Sequence, residues 1–251
     1  MMKKQHKQHE FAIEANDLTR TFGDFVAVDN INFNVKRGEI FGFLGANGAG
    51  KTTAIRMLIG LLQVSSGSAI VAGYDVRTQT EKVKKSIGYM SQRFSLYDDL
   101  TVLENFELFG GIYGLSRADV RSKSTTALHR LDLESQKNAI LKSLPLGWKQ
   151  KLAFMVAQIH NPPIVFLDEP TGGVDPITRR QFWEMIYETA NQGTTVFVTT
   201  HYMDEAEYCD RVSIMNFGKI AVMGAPSEIK QKLDADTMDE VFVRIARPAE
   251  N

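Results

Sequence analysis

The chain has 251 residues, 43% of them hydrophobic, enough for a substantial core within one or two domains. Its 29 basic and 30 acidic residues leave a formal net charge of −1, which argues against a nucleic-acid binder relying on bulk positive charge. The single cysteine, Cys209, excludes an intrachain disulfide, suits a reducing compartment and reads as a small hydrophobe near a helix end.

Residues 1–10, MMKKQHKQHE, are basic and polar and lack the apolar stretch of a signal peptide. They read as a disordered tail, with 246–251 as a second tail around one domain at 11–245. No run of about 18 apolar residues occurs anywhere, so the chain is expected to be soluble and to meet a membrane only through a partner. Ile31, Phe33 and Val35 alternate with Asn30, Asn32 and Asn34, the two-residue period of a half-buried strand. An apolar strand at 40–44 leads through a Gly-rich turn into a helical pattern over 51–62, and 67–73 is hairpin-like. From about 93 to 160 the chain reads as mostly helical, with Val102, Leu103, Phe106 and Phe109 spaced along one face. Strands at 164–168, 194–199 and 212–216 then alternate with helices at 176–191 and 203–209. This order predicts an α/β core, a mainly parallel sheet covered by helices, interrupted by a helical subdomain at about 93–160.

Gly45-Ala46-Asn47-Gly48-Ala49-Gly50-Lys51-Thr52, followed by Thr53, fits the P-loop pattern with the required strand before it and helix after it. Glycines let the backbone wrap phosphate oxygens with its N–H groups, and the new helix points its positive end at the anion. Gly45, Asn47, Gly48, Ala49, Gly50, Lys51, Thr52 and Thr53 are thus candidate ATP contacts. Lys51 is expected to reach the outer phosphates and the Thr52 hydroxyl to ligate Mg²⁺. The four apolar residues at 164–167 make a buried strand that ends in Asp168 and Glu169, where open α/β sheets bind ligands. Asp168 would hold Mg²⁺ through water, and Glu169 would orient and deprotonate the attacking water.

In order, these motifs resemble the nucleotide-binding domains of ABC transporters over about residues 11–232. The P-loop is followed by Gln92 in Tyr89-Met90-Ser91-Gln92, a signature-like segment at 144–150, Asp168-Glu169, a D-loop-like Gly172-Gly173-Val174-Asp175, and Thr200-His201. The resemblance implies a P-loop NTPase core of mainly parallel sheet with helices, an antiparallel β subdomain and the inserted helical subdomain. It also implies that Phe22 stacks on adenine, with packing beside Leu18 as the alternative. Gln92 would contact Mg²⁺ or the attacking water, His201 would hydrogen-bond the terminal phosphate, and Asp175 would act across a dimer interface. His201 follows an apolar strand, which brings it to the sheet edge that carries Glu169. No role attaches to His6, His9, His129 or His160.

One departure matters. The family signature is Leu-Ser-Gly-Gly-Gln, which binds the ATP of the opposite subunit, whereas this chain has Leu144-Pro145-Leu146-Gly147-Trp148. The lost serine hydroxyl would have donated a charge-assisted bond of roughly 1.5–3 kcal/mol. Proline removes only its own N–H and is favoured in a first helical turn, so the N–H groups of Leu146 and Gly147 can still address phosphate in trans. A degenerate signature that closes poorly is the alternative.

The wording Leu-Pro-Leu-Gly-Trp-Lys-Gln and the tail at 238–243 resemble bacterial ABC-2-type exporters, including multidrug systems. The implied function is ATP hydrolysis that powers export through a separate ABC-2-type permease. The cassettes would form an ATP-dependent homodimer at the cytoplasmic face of the inner membrane, without nucleic acid. Phe94, Leu96, Tyr97 and Leu100 would receive the permease, or else pack the helical insert. A soluble ABC-type ATPase acting on nucleic acid or ribosomes, and a weakly hydrolysing ATP-gated module, are the other readings.

Overall fold

A strand covered by helices on both faces has no polar side, and the apolar runs in this sequence become the parallel strands of the core. The computed structural model describes residues 10–92 and 96–246. In chain order it begins β1 (Phe11–Phe22), β2 (Phe25–Lys36), β3 (Ile40–Gly45), α1 (Lys51–Leu58), β4 (Ser66–Val71), β5 (Tyr74–Asp75), α2 (Thr80–Lys85) and β6 (Ile87–Met90). The expected helical insert follows as α3 (Val102–Ile112), α4 (Arg117–Arg130) and α5 (Leu146–Ala157). Then come β7 (Ile164–Asp168), α6 (Pro176–Asn191), β8 (Thr195–Thr200), β9 (Arg211–Asn216), β10 (Lys219–Gly224), α7 (Pro226–Lys232) and α8 (Met238–Ala246). Of the expected tails at 1–10 and 246–251, only residues 10 and 246 are described, Ala246 as the last residue of α8; the rest, and Phe94, lie outside the described residues.

The main sheet runs β10-β9-β3-β8-β7-β6, with β9 to β6 mutually parallel and β10 antiparallel at the edge. Every residue of β3, β7 and β8 is buried. The second sheet, β2-β1-β4-β5, is antiparallel throughout. Phe33 of β2 joins the two sheets, its ring centroid 5.9 Å from Phe41, 5.5 Å from Phe43 and 6.1 Å from Phe197. Burying a ring of this size contributes about 1.5–3 kcal/mol, so this cluster sets how the sheets meet.

Three details differ from the patterns. Helix α1 stops at Leu58 instead of running to Leu62, because Gly60 turns left-handed (φ +73°) and the N–H groups of Leu61 and Leu62 return to Arg56 O. The segment at 203–209 is a 3₁₀ helix, Met203–Tyr208, followed by buried Cys209. Hydrophobic alternation does not single out β1, β6 or β10. In β1 the register slips around Asp17, which takes φ +48°. Among the described residues no helix is long and apolar enough to cross a membrane.

Candidate active site

β3 feeds the loop that ends at α1, and two glycines make the loop possible. A Cβ on Gly45 would lie 2.5 Å from Met215 O, and one on Gly50 (φ +103°) would lie 2.5 Å from Ala27 O. Gly50 is also the N-cap of α1 and supplies no side-chain acceptor, so the first-turn N–H groups remain for an anion. Lys51 is buried. Its ammonium donates to Gly45 O (2.8 Å) and Ala46 O (3.1 Å) and stands 3.4 Å from Glu169 Oε1.

The parallel register sets Asp168 of β7 opposite Thr199 of β8. Asp168 is buried, and its Oδ1 accepts from Thr199 Oγ1 at 2.7 Å and Thr52 Oγ1 at 3.3 Å. Burial raises the Asp168 carboxyl above its ordinary value, the Thr199 bond opposes this, and the neighbouring Glu169 charge adds to it. The same burial and the Asp168 charge push the Tyr89 hydroxyl on β6 up to about 12. Glu169 takes φ +50°, a strain of about 1–3 kcal/mol for a non-glycine residue. Its N–H donates to Thr199 O (3.1 Å) and Oγ1 (3.0 Å), which holds that turn.

The strained turn aims the Glu169 side chain at three of the expected site residues. Oε2 accepts from Gln92 Nε2 at 2.9 Å and lies 3.1 Å from His201 Nδ1, while Oε1 faces Lys51. Gln92 follows β6 and His201 follows β8, so all four side chains meet at the C-terminal edge of the parallel sheet. Asn47, Gly48, Gly50, Thr52 and Thr53 line one cavity with Lys51, Gln92 and Glu169. Phe25 and Ala27 line it too, and Thr199 supports it; local sequence patterns marked none of these three.

Phe22 pairs with Phe25 across the tip of the β1–β2 hairpin. Its ring is 45% exposed, unlike fully buried Leu18, and so is not core. The Arg20 guanidinium lies 4.4 Å from the ring centroid. Leu146, Gly147 and Asp175 do not line the P-loop cavity of their own chain. Pro145 is the N-cap of α5, one place before the first turn, and Leu146 and Gly147 open the helix. Asp175 caps α6, accepting from the N–H groups of Ile177 and Thr178 at 3.0 Å each and from Thr178 Oγ1 at 2.6 Å. These bonds, the Thr178 hydroxyl first, hold its carboxyl below the ordinary range.

The donor set suits a hard divalent cation. Thr52 and Asp168 offer oxygen ligands 3.3 Å apart at the foot of α1. Among the described residues no group of three or more His, Cys, Asp or Glu forms a cage. Mg²⁺ bound by one or two protein oxygens, with phosphate and water completing its octahedron, fits this arrangement.

A family model described as ABC transporter matches residues 28–172. The chain is 47% identical over 241 residues to the probable multidrug ABC transporter ATP-binding protein YbhF of Escherichia coli (strain K12), covering 94% of this chain and 42% of that protein. It therefore spans less than half the length of YbhF. It is 34% identical over 232 residues to the linearmycin resistance ATP-binding protein LnrL of Bacillus subtilis (strain 168), covering 92% of this chain and 75% of LnrL. Among solved structures, an ATP-binding subunit of an ABC transporter superposes with a TM-score of 0.84 at 28% identity, covering 93% of this chain and 99% of that one. A dimeric ATP-binding cassette in a post-hydrolysis state with ADP and Pi superposes with a TM-score of 0.77 at 26% identity, covering 85% and 98%.

Proposed function

We propose a function from the premise that the chain belongs to the ABC transporter family: it binds Mg-ATP and hydrolyses it to power export through a separate membrane permease. The observation that carries this reading is the set of Lys51, Gln92 and His201 around the Glu169 carboxylate.

ATP phosphates would occupy the P-loop, with Lys51 exchanging its loop carbonyls for the outer phosphates. Glu169 takes a proton from water, the water oxygen attacks the terminal phosphorus in line, and the bond to the bridging oxygen breaks to release ADP. Gln92 and His201 orient that water and the terminal phosphate. Mg²⁺, held by Thr52, Gln92 and, through water, Asp168, would supply charge neutralisation at the phosphate oxygens. Phe22 would stack on the base.

A second copy completes the site: the N–H groups of Leu146 and Gly147 at the start of α5, with Asp175, would face the partner's ATP. Closure does work because ATP binds the closed pair better than the open one. An ABC-2-type permease is the partner this implies, and it puts the chain at the cytoplasmic face of the inner membrane. The names of YbhF and LnrL support drug-like cargo.

Light scattering of the Glu169→Gln variant tests the composite site. A dimer that forms with Mg-ATP and dissolves when ATP is removed is expected. A persistent monomer with ATP bound would overturn the site in trans.

A further inference from the structure

Gly147 sits in the first turn of α5 without a left-handed φ, so the backbone there does not require glycine. Glycine is also poorer than alanine in a helix, so its presence has another cause. A Cβ on Gly147 would lie 2.6 Å from Cγ2 of Thr178 and 3.2 Å from its Oγ1. Thr178 is not free to swing that methyl away. Its hydroxyl donates to Asp175 Oδ2 at 2.6 Å, and a β-branched side chain has few χ1 choices. Gln150, one turn along α5, is buried and donates to Gly172 O at 3.0 Å. The start of α5 and the segment at 172–178 are thus joined at two points within one chain.

We propose that Thr178 is a positioning residue that locks the start of α5 to Asp175, and that residue 147 is glycine because the Thr178 methyl of the same chain fills the space above it. For its effect on turnover this rests on the proposed function, in which Leu146, Gly147 and Asp175 face the partner's ATP; the packing itself does not. A side chain at 147 displaces Thr178, breaks its bond to Asp175 and shifts both segments together. The altered signature then depends on a neighbour in its own chain as much as on the nucleotide.

The test is a cycle on the full chain: Gly147→Ala and Thr178→Ser, alone and combined, melted without nucleotide and assayed for ATPase. Serine keeps the hydroxyl for Asp175 and drops the methyl. In the parent background Gly147→Ala is expected to lower the melting temperature by roughly 2–4 °C and turnover about tenfold or more. Measured against the Thr178→Ser background, which removes the 2.6 Å methyl contact and keeps the 3.2 Å hydroxyl, the same substitution is expected to lower the melting temperature clearly less and turnover by a smaller factor. Equal losses in both backgrounds would overturn the proposal. So would a melting temperature that recovers while turnover does not, because the glycine would then serve the nucleotide. A parent chain without ATPase activity would count against the proposed function alone, and the melting arm would still decide the packing.

Discussion

Gln92 and Glu169 are 77 residues apart in sequence, yet Nε2 of the first donates to Oε2 of the second at 2.9 Å. That oxygen also lies 3.1 Å from His201 Nδ1. The loop after β6 and the end of β8 therefore both bear on one carboxylate, which itself hangs from a strained left-handed turn. Any shift of either segment moves the group that would activate water.

His201→Ala removes one of these supports and the bond proposed to the terminal phosphate. Turnover is expected to fall about 10²-fold, with the Kd for ATP changed only a few-fold. A variant that loses binding and turnover equally would show that His201 holds ground-state nucleotide instead.

Asp168 is buried with its carboxyl raised above the ordinary 3.8. Between that value and the raised one the folded chain holds the extra proton, so this group's contribution to stability falls as pH rises through the window. Above it, the buried charge is a standing cost that Thr199 and Thr52 only partly offset. Asp168→Asn keeps an acceptor for both hydroxyls. Without nucleotide it should melt at or above the parent's temperature at pH 7, yet gain no added stability from Mg-ATP. A lower melting temperature than the parent would contradict this.

His160 has the opposite sign. Its ring stacks on Tyr113 at 3.6 Å, its Nε2 lies 3.1 Å from Ile87 O, and burial lowers its pKa from 6.5 to about 4. The unfolded chain therefore binds the extra proton first, and stability is lost as pH falls from 6.5 towards 4. In urea titrations over that range His160→Gln should flatten the loss relative to the parent. Identical pH slopes for the two chains would count against the neutral stack as the joint between α3 and β6.

Phe22→Ala should raise the Kd for ATP about 3- to 10-fold, the worth of one aromatic stack. Phe25→Ala is the comparison, since Phe25 lines the P-loop cavity. If only Phe25→Ala weakens binding, the base rests on the other side of the hairpin tip.

The legible parts of this chain are those whose chemistry is local. The P-loop, the Asp168-Glu169 pair and the strand before His201 each combine an apolar run with a turn that only certain residues permit. β6 was hidden because four residues give no period to read, although it delivers Gln92 to Glu169. Thr199 and Thr178 were invisible for a different reason. One gains its role from a register between strands 31 residues apart, the other from a helix start that packs against it. Neither relationship leaves a trace in local spacing. Phe25 carries no local signal either, because an exposed aromatic at a hairpin tip has no pattern until the tip is folded over the loop.

The central claim is that Glu169 activates water for ATP hydrolysis, and steady-state ATPase of the purified chain against Glu169→Gln tests it most directly. The account predicts a fall of about 10²- to 10⁴-fold with ATP still bound at near-parent affinity. Hydrolysis by Glu169→Gln at close to the parent rate would contradict it.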